Sequence, residues 1–176
     1  VEGPALPFEG EIRPGHFSGV ATVVCRLFTA LPADAAYFGA KDWQQTLVVK
    51  RMVRDLGLPV AIVVCPTVRE ADGLALSSRN AYLSAAERPR AAALAAGLER
   101  ADAAWRSGAA VAAVERALRE PLEAAGLQVD YAAVVDAESL GPLRDGAAAV
   151  AVVAGRLGGT RLIDNRELPP RTTGAR

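Results

Sequence analysis

The residues best suited to chemistry stand together in Gly39-Ala40-Lys41-Asp42-Trp43-Gln44-Gln45. A cation suits phosphate, a carboxylate suits sugar hydroxyls, and two adjacent amides suit a polar substrate. The stretch follows the short apolar run Ala35 to Phe38 and precedes a helical pattern, so it reads as a strand-to-helix loop. Loops of that kind at the carboxyl edge of an α/β sheet are where nucleotides and small acids bind. Gly39 at the strand end would let a ligand approach the backbone closely, and the next helix would aim its first N–H groups at an anion. The heptapeptide alone leaves open an ordinary polar turn whose Lys41 and Asp42 face water.

Two other groups share this character. Arg13-Pro14-Gly15-His16-Phe17-Ser18-Gly19 places an arginine and the sole histidine ahead of a helical pattern. That arrangement points to anion contact at a helix N-terminus, although a surface-loop histidine fits the same residues. Leu76-Ser77-Ser78-Arg79-Asn80 offers two hydroxyls and a forked cation, which can wrap a polyphosphate; a solvent-exposed turn is the other reading. No Ser-His-Asp or Cys-His set and no Cys-x-x-Cys pair is present, which argues against a side-chain nucleophile and a structural zinc site.

These groups need elements to hold them. Residues 1–19 are rich in Pro and Gly and read as loop. From Val20 the apolar positions Val23, Val24, Leu27, Phe28 and Leu31 form a helical face, with Ser18 as the expected N-cap and Pro32 beyond the end. The helix after Gln45 points Leu47, Val48, Met52 and Leu56 inward and stops at Gly57. Val60 to Val64 is a continuous apolar run, as in a fully buried parallel strand. That order is the back half of a doubly wound α/β unit.

Beyond it, Ala71 to Leu74 reads as a turn. Ser84 and Glu87 form a capping box, with Pro89 opening a helix lined by Leu94, Leu98, Ala101 and Trp105. Val111, Val114 and Leu118 begin another helix, which Pro121 is expected to kink or end. Tyr131, Ala133 and Val135 alternate as a strand, Ala147 to Val153 and Thr160 to Ile163 read as a hairpin, and Pro169 to Arg176 as a loose tail. From about Val68 the pattern is a small α+β domain with a short antiparallel sheet.

The 176 residues are 51% hydrophobic, with 20 basic and 20 acidic side chains. That balance gives no support to a nucleic-acid or membrane-surface binder. No apolar stretch reaches the roughly 18 residues that span a bilayer, and no secretory pattern opens the chain, so a cytoplasmic protein is expected. Cys25 and Cys65 lie in apolar runs and read as buried reduced thiols.

Arg13-Pro14-Gly15-His16-Phe17, then Phe38-Gly39-x-Lys41-Asp42-x-Gln44-Gln45, then Arg69-Glu70-x-Asp72-Gly73-Leu74-Ala75-x-Ser77-Ser78-Arg79-Asn80 follow one another in an order and at separations that resemble the pantothenate synthetase family. Gly159 to Asn165 fits as well. The resemblance implies the C-terminal half of a Rossmann-like nucleotide-binding domain over residues 1–67, followed by an α+β lid domain over 68–176. It implies a ligase that joins pantoate to the amine of β-alanine through pantoyl adenylate, using ATP with Mg2+, in a homodimer.

Carried over by position, Gly39, Ala40, Lys41, Asp42, Val68, Leu76, Ser77, Ser78 and Arg79 would bind ATP. Asp42 would lie toward the ribose, Lys41 toward phosphate and Val68 against adenine through its backbone, while Gln45 would bind pantoate. Lys41, Arg79 and His16 would serve catalysis, with Arg13 beside the cleft. Ala40 and Leu76 depart from the family's usual polar residue and methionine. The family's His-x-Gly-His motif does not occur here. The chain is therefore expected to be a C-terminal portion, about a hundred residues short of the whole and inactive by itself. A remnant of the same fold that binds nucleotide or docks on a partner without catalysis is the alternative.

Overall fold

Short elements dominate the start of the computed structural model, which describes residues 2–171. Helix α1 (Glu9–Ile12) and helix α2 (His16–Ala30) occupy part of the stretch expected to be loop. Gly15, not Ser18, caps α2, and its φ of 80° is one that glycine adopts without strain. Strand β1 (Ala35–Gly39), a 3-10 turn (Ala40–Asp42), helix α3 (Trp43–Leu56) and strand β2 (Ala61–Cys65) follow. The two strands pair in parallel, from Ala35 with Ala61 to Gly39 with Cys65. Gly57 ends α3 as expected, left-handed at φ 61°, its N–H returned to the carbonyls of Arg54 and Val53.

The chain divides into two units, Val1–Pro66 with Glu138–Gly141, and Thr67–Ala137 with Pro142–Arg176. In the first unit the core is small. Val24, Val49 and Met52 are buried, with Phe28, Phe38, Leu58 and Ile62 partly buried around them. Four expectations fail here. Leu27 on the apolar face of α2 and Leu31 just past its end are 50% and 67% exposed, and Leu56 at the end of α3 is 59% exposed. Strand β2 is only half-covered, because it has a partner on one edge alone among the described residues. Cys25 and Cys65 are free thiols but half-buried, not enclosed.

The second unit is built differently. An isolated antiparallel bridge joins Arg69 and Ala75. A 3-10 helix (Ser78–Tyr82) precedes α4 (Arg88–Ala91), α5 (Ala93–Arg106) and α6 (Val111–Ala124). Strands β3 (Gln128–Asp136), β4 (Ala149–Leu157) and β5 (Thr160–Leu168) form an antiparallel sheet in that order. Ser84 and Glu87 do form the capping box, with the Ser84 N–H on Glu87 Oε2 at 2.8 Å and the Glu87 N–H on Ser84 Oγ at 3.3 Å. Leu94, Leu98, Ala101 and Trp105 of α5 are all buried, against Val114, Leu118 and Leu122 of α6 and the inner face of the sheet. At Gly97 a β-carbon would lie 2.6 Å from the Leu118 carbonyl oxygen, so the helix crossing itself demands glycine.

Pro121 does not end its helix: α6 runs on to Ala124, and the Ala125 N–H still bonds the Pro121 carbonyl. Only the donor that proline lacks is forgone, and the buried Leu118 and Leu122 on either side hold the helix in place. The hairpin of β4 and β5 turns at Gly158-Gly159, with Gly158 at φ 56°. The mixed architecture, a parallel pair followed by a three-stranded antiparallel sheet with helices, is the α/β class expected. Of the expected C-terminal tail, residues 172–176 lie outside the described ones. Among the described residues no helix is long and apolar enough to cross a membrane.

Candidate functional site

In the first unit, β1 delivers Gly39 directly into the 3-10 turn that carries Ala40, Lys41 and Asp42, and α3 begins at Trp43. Gly39 is extended (φ −73°, ψ 134°), a conformation open to any residue. The space its β-carbon would fill is empty to 4 Å. The fold therefore does not require glycine there, and a side chain would intrude only on what approaches from outside. Lys41 is largely covered, its side chain 14% exposed, with Nζ 3.9 Å from Asp42 Oδ1. Asp42 precedes α3 without capping it. Gln45 lies half-buried in the first turn of that helix.

The two neighbouring amides do not share a role. Gln44 is buried; its Nε2 donates to the Pro4 and Pro7 carbonyls at 2.8 and 2.6 Å, and its Oε1 accepts the Glu9 N–H at 3.2 Å. It fastens the N-terminal segment to α3, since buried polar atoms must be paired. The expectation of two amides free for a substrate is thus corrected, since Gln44 is taken up by the fold.

Arg13 and His16 come together as expected, with Arg13 Nη1 3.2 Å from His16 Nε2. A guanidinium only donates, so His16 Nε2 is the acceptor in this contact. The ring also leans on Phe17, with centroids 4.9 Å apart. His16 is the first residue of α2 and not part of a preceding loop.

In the second unit the bridge around Arg69 and Ala75 brings Val68 and Leu76 side by side, the Leu76 N–H donating to the Val68 carbonyl at 2.9 Å. Both side chains are exposed. Ser77 caps the 3-10 helix, its Oγ accepting the Arg79 N–H at 3.2 Å, and the Asn80 N–H bonds the Ser77 carbonyl at 3.0 Å. Ser78 and Arg79 face outward.

Residues to which the sequence alone gave no role hold this segment. Asn80 Nδ2 donates to Glu70 Oε1 at 2.7 Å and to the Ala75 carbonyl at 3.1 Å. Arg88 Nη2 donates to Glu70 Oε2 at 2.7 Å, and Arg88 Nη1 to Asp72 Oδ2 at 2.5 Å. The Arg88 guanidinium holds both carboxyls below their ordinary range, with Asn80 assisting at Glu70. Arg69 forks the carboxylate of Asp164 at 2.7 and 3.1 Å and also donates to the Gly73 carbonyl. Asp164 is buried on β5. The late stretch Gly159 to Asn165 and the earlier Arg69-Glu70-x-Asp72-Gly73 are therefore halves of one ion pair. Two carboxylates at Glu70 and Asp72 with no cation between them were the available sign that Arg88 had to come from elsewhere.

The chain matches the family model described as pantoate-beta-alanine ligase over residues 1–167. A pantothenate synthetase of Thermus thermophilus is 53% identical over 173 residues, which are 97% of this chain and 63% of that relative. One from Rubrobacter xylanophilus is 56% identical over 167 residues, 92% of this chain and 57% of that relative. Among solved structures, pantothenate synthetase from Thermus thermophilus superposes with a TM-score of 0.91 at 52% identity, over 96% of this chain and 63% of that one. Pantoate-beta-alanine ligase from Francisella tularensis, complexed with beta-gamma ATP and beta-alanine, superposes with a TM-score of 0.72 at 30% identity, over 95% of this chain and 56% of that one. The chain thus spans less than two thirds of the length of these relatives.

Proposed function

The chain belongs to the pantoate–β-alanine ligase family, and from that premise we propose that it contributes to an ATP-dependent ligase that makes pantothenate by way of pantoyl adenylate. A pantoate carboxylate oxygen forms a bond to the α-phosphorus as the bond to the departing pyrophosphate breaks. The amine of β-alanine then attacks the acyl carbon, AMP leaves, and the amine's proton passes to solvent or base. No side-chain nucleophile is consumed, in keeping with the residues present. We assign residues 1–67 to a Rossmann-like nucleotide-binding domain and 68–176 to a lid domain.

The observation that carries the reading is the turn from Gly39 to Asp42. A covered cation stands at a strand-to-helix junction, beside a glycine whose missing β-carbon leaves room for a ligand. Lys41 would meet charge that accumulates as pyrophosphate departs, where a preorganised donor is worth most. Asp42 would accept from the ribose hydroxyls, and Gln45 would address the hydroxyls of pantoate. From the second unit, Val68 and Leu76 would flank the adenine, and Ser77, Ser78 and Arg79 would grip phosphate with backbone N–H groups, hydroxyls and a fork. Mg2+ would travel with the triphosphate and offset its charge. His16, paired with Arg13, would act as a hydrogen-bonding group. The Francisella ligase complexed with a nucleotide and β-alanine supports this choice of substrates. A cytoplasmic homodimer is the setting we assign to it.

The test uses a protein in which this chain replaces the matched part of the Thermus relative. Single-turnover formation of pantoyl adenylate should fall about a hundredfold or more in Lys41→Ala, with pantoate affinity little changed. Gln45→Ala should instead raise the pantoate concentration required. Adenylation as fast in Lys41→Ala as in the parent would leave Lys41 without a part in the chemistry and remove the central support for this function.

A further inference from the structure

Arg88 lies outside every motif that suggested a function, yet three of its donor contacts end on the segment that leads to Ser77–Arg79. It reaches Glu70 Oε2 at 2.7 Å, Asp72 Oδ2 at 2.5 Å and Asp72 Oδ1 at 3.1 Å. The other oxygen of Glu70 takes Asn80 Nδ2 at 2.7 Å, and the same amide nitrogen reaches the Ala75 carbonyl. Asn80 thus closes residues 75–80 into a loop, and its own N–H bonds the Ser77 carbonyl within the turn. Its Oδ1 is buried with no hydrogen-bond partner among the described residues. An unpaired buried oxygen is costly, so the amide is held where it is by its nitrogen's two bonds and not by what its oxygen gains. The Glu70 carboxylate is the stronger of those two holds, because its acceptor is charged. Its own direction is set by the guanidinium.

We propose that Arg88 is a positioning residue for the phosphate-gripping segment: by fixing Glu70 it fixes Asn80, and through Asn80 the turn that presents Ser77, Ser78 and Arg79. This rests on the reading of Ser77–Arg79 as a phosphate grip. A fork shared by Glu70 and Asp72 cannot be replaced by lysine, whose ammonium is a point charge without a planar pair of donors. The ligand affected is the β- and γ-phosphate portion of a nucleoside triphosphate. Binding of a monophosphate does not draw on this device.

The experiment is calorimetric titration of the full 176-residue chain with ATP plus magnesium and with AMP, alongside thermal unfolding of each variant. The parent should prefer ATP to AMP, and Arg79→Ala should lose most of that preference. Arg88→Gln should lower the preference about tenfold, the scale of one or two side chains that must be ordered anew on binding, while AMP affinity stays within about twofold. Arg88→Lys should fall between the two. A purely structural Arg88 would weaken both nucleotides together or neither, and that result overturns the proposal. If Arg79→Ala loses the preference and folded Arg88→Gln keeps it, the phosphate reading stands and the positioning role is wrong. If the parent shows no preference, or Arg79→Ala keeps it, the phosphate reading falls and this inference with it. Should Arg88→Gln not fold, Glu70→Gln decides, since it keeps an acceptor for Asn80 but loses the charged pair with Arg88. A loss of roughly threefold in preference is expected there, and an unchanged preference overturns the proposal.

Discussion

Helices α2 and α5 carry apolar repeats of similar quality, Val20 to Leu31 in one and Leu94 to Trp105 in the other, yet their burial differs sharply. In α5 every one of the repeat positions Leu94, Leu98, Ala101 and Trp105 is enclosed. In α2 only Phe17 and Val24 are buried, while Leu27 and, just past the helix end, Leu31 are at least half exposed. The reason is what stands opposite. A second long helix and a three-stranded sheet close over α5, whereas the first unit offers α2 the face of α3 and two short strands. Periodicity dictates which face of a helix turns inward; how much of it is covered depends on partners far along the chain.

Truncations should make that contrast visible. Leu118→Ala, in the enclosed core of the second unit, should destabilise it by about 2–5 kcal/mol through lost burial and a residual cavity. Leu27→Ala in the first unit should stay within about 0.5 kcal/mol. Chemical denaturation followed by Trp105 fluorescence measures the first, and hydrogen exchange along α2 the second. Similar costs at the two sites would mean that the contrast in packing has no energetic counterpart.

A smaller loss, about 1–3 kcal/mol, is expected from Gly97→Ala, because the new methyl meets the Leu118 carbonyl and the Leu122 side chain. Gly19→Ala, in α2 where a β-carbon would meet nothing within 4 Å, should be neutral or slightly stabilising. Equal tolerance at the two glycines in thermal unfolding would undo the claim that α5 and α6 touch closely.

The mildest effect concerns acid. Glu70 and Asp72 are held below their ordinary values of 4.5 and 3.8, chiefly by Arg88. A carboxyl depressed in the folded state contributes stability above its ordinary value, and that stability is lost as pH falls through the depressed one. The second unit should therefore loosen on acidification from about pH 4.5 downward, and Arg88→Gln should make its stability less dependent on pH across that range. A parallel acid profile for parent and variant would show that the pairing carries no net stability.

Much of the scaffold was legible in the residues. The capping box of Ser84 and Glu87, the stop at Gly57 and the tight turn at Gly158-Gly159 depend on neighbours a few positions away, and short-range chemistry decides them. What was not legible depends on distance. Gln44 looked like a ligand-binding amide because its partners, Pro4, Pro7 and the Glu9 N–H, sit more than thirty positions earlier. Arg69 and Asp164 are 95 positions apart, so neither announces the other. Pro121 does not end α6 because helix propensity is a weak term where Leu118 and Leu122 are fully buried on either side.

The most direct test of the proposed ligase follows the nucleotide. In the protein that joins this chain to the remainder of the Thermus relative, ATP, pantoate and β-alanine should yield AMP, pyrophosphate and pantothenate in equal amounts. With β-alanine withheld, one equivalent of pantoyl adenylate should accumulate on the enzyme. Release of ADP and phosphate, or pantothenate formed with no adenylate trapped when β-alanine is absent, would contradict the reaction assigned to these residues.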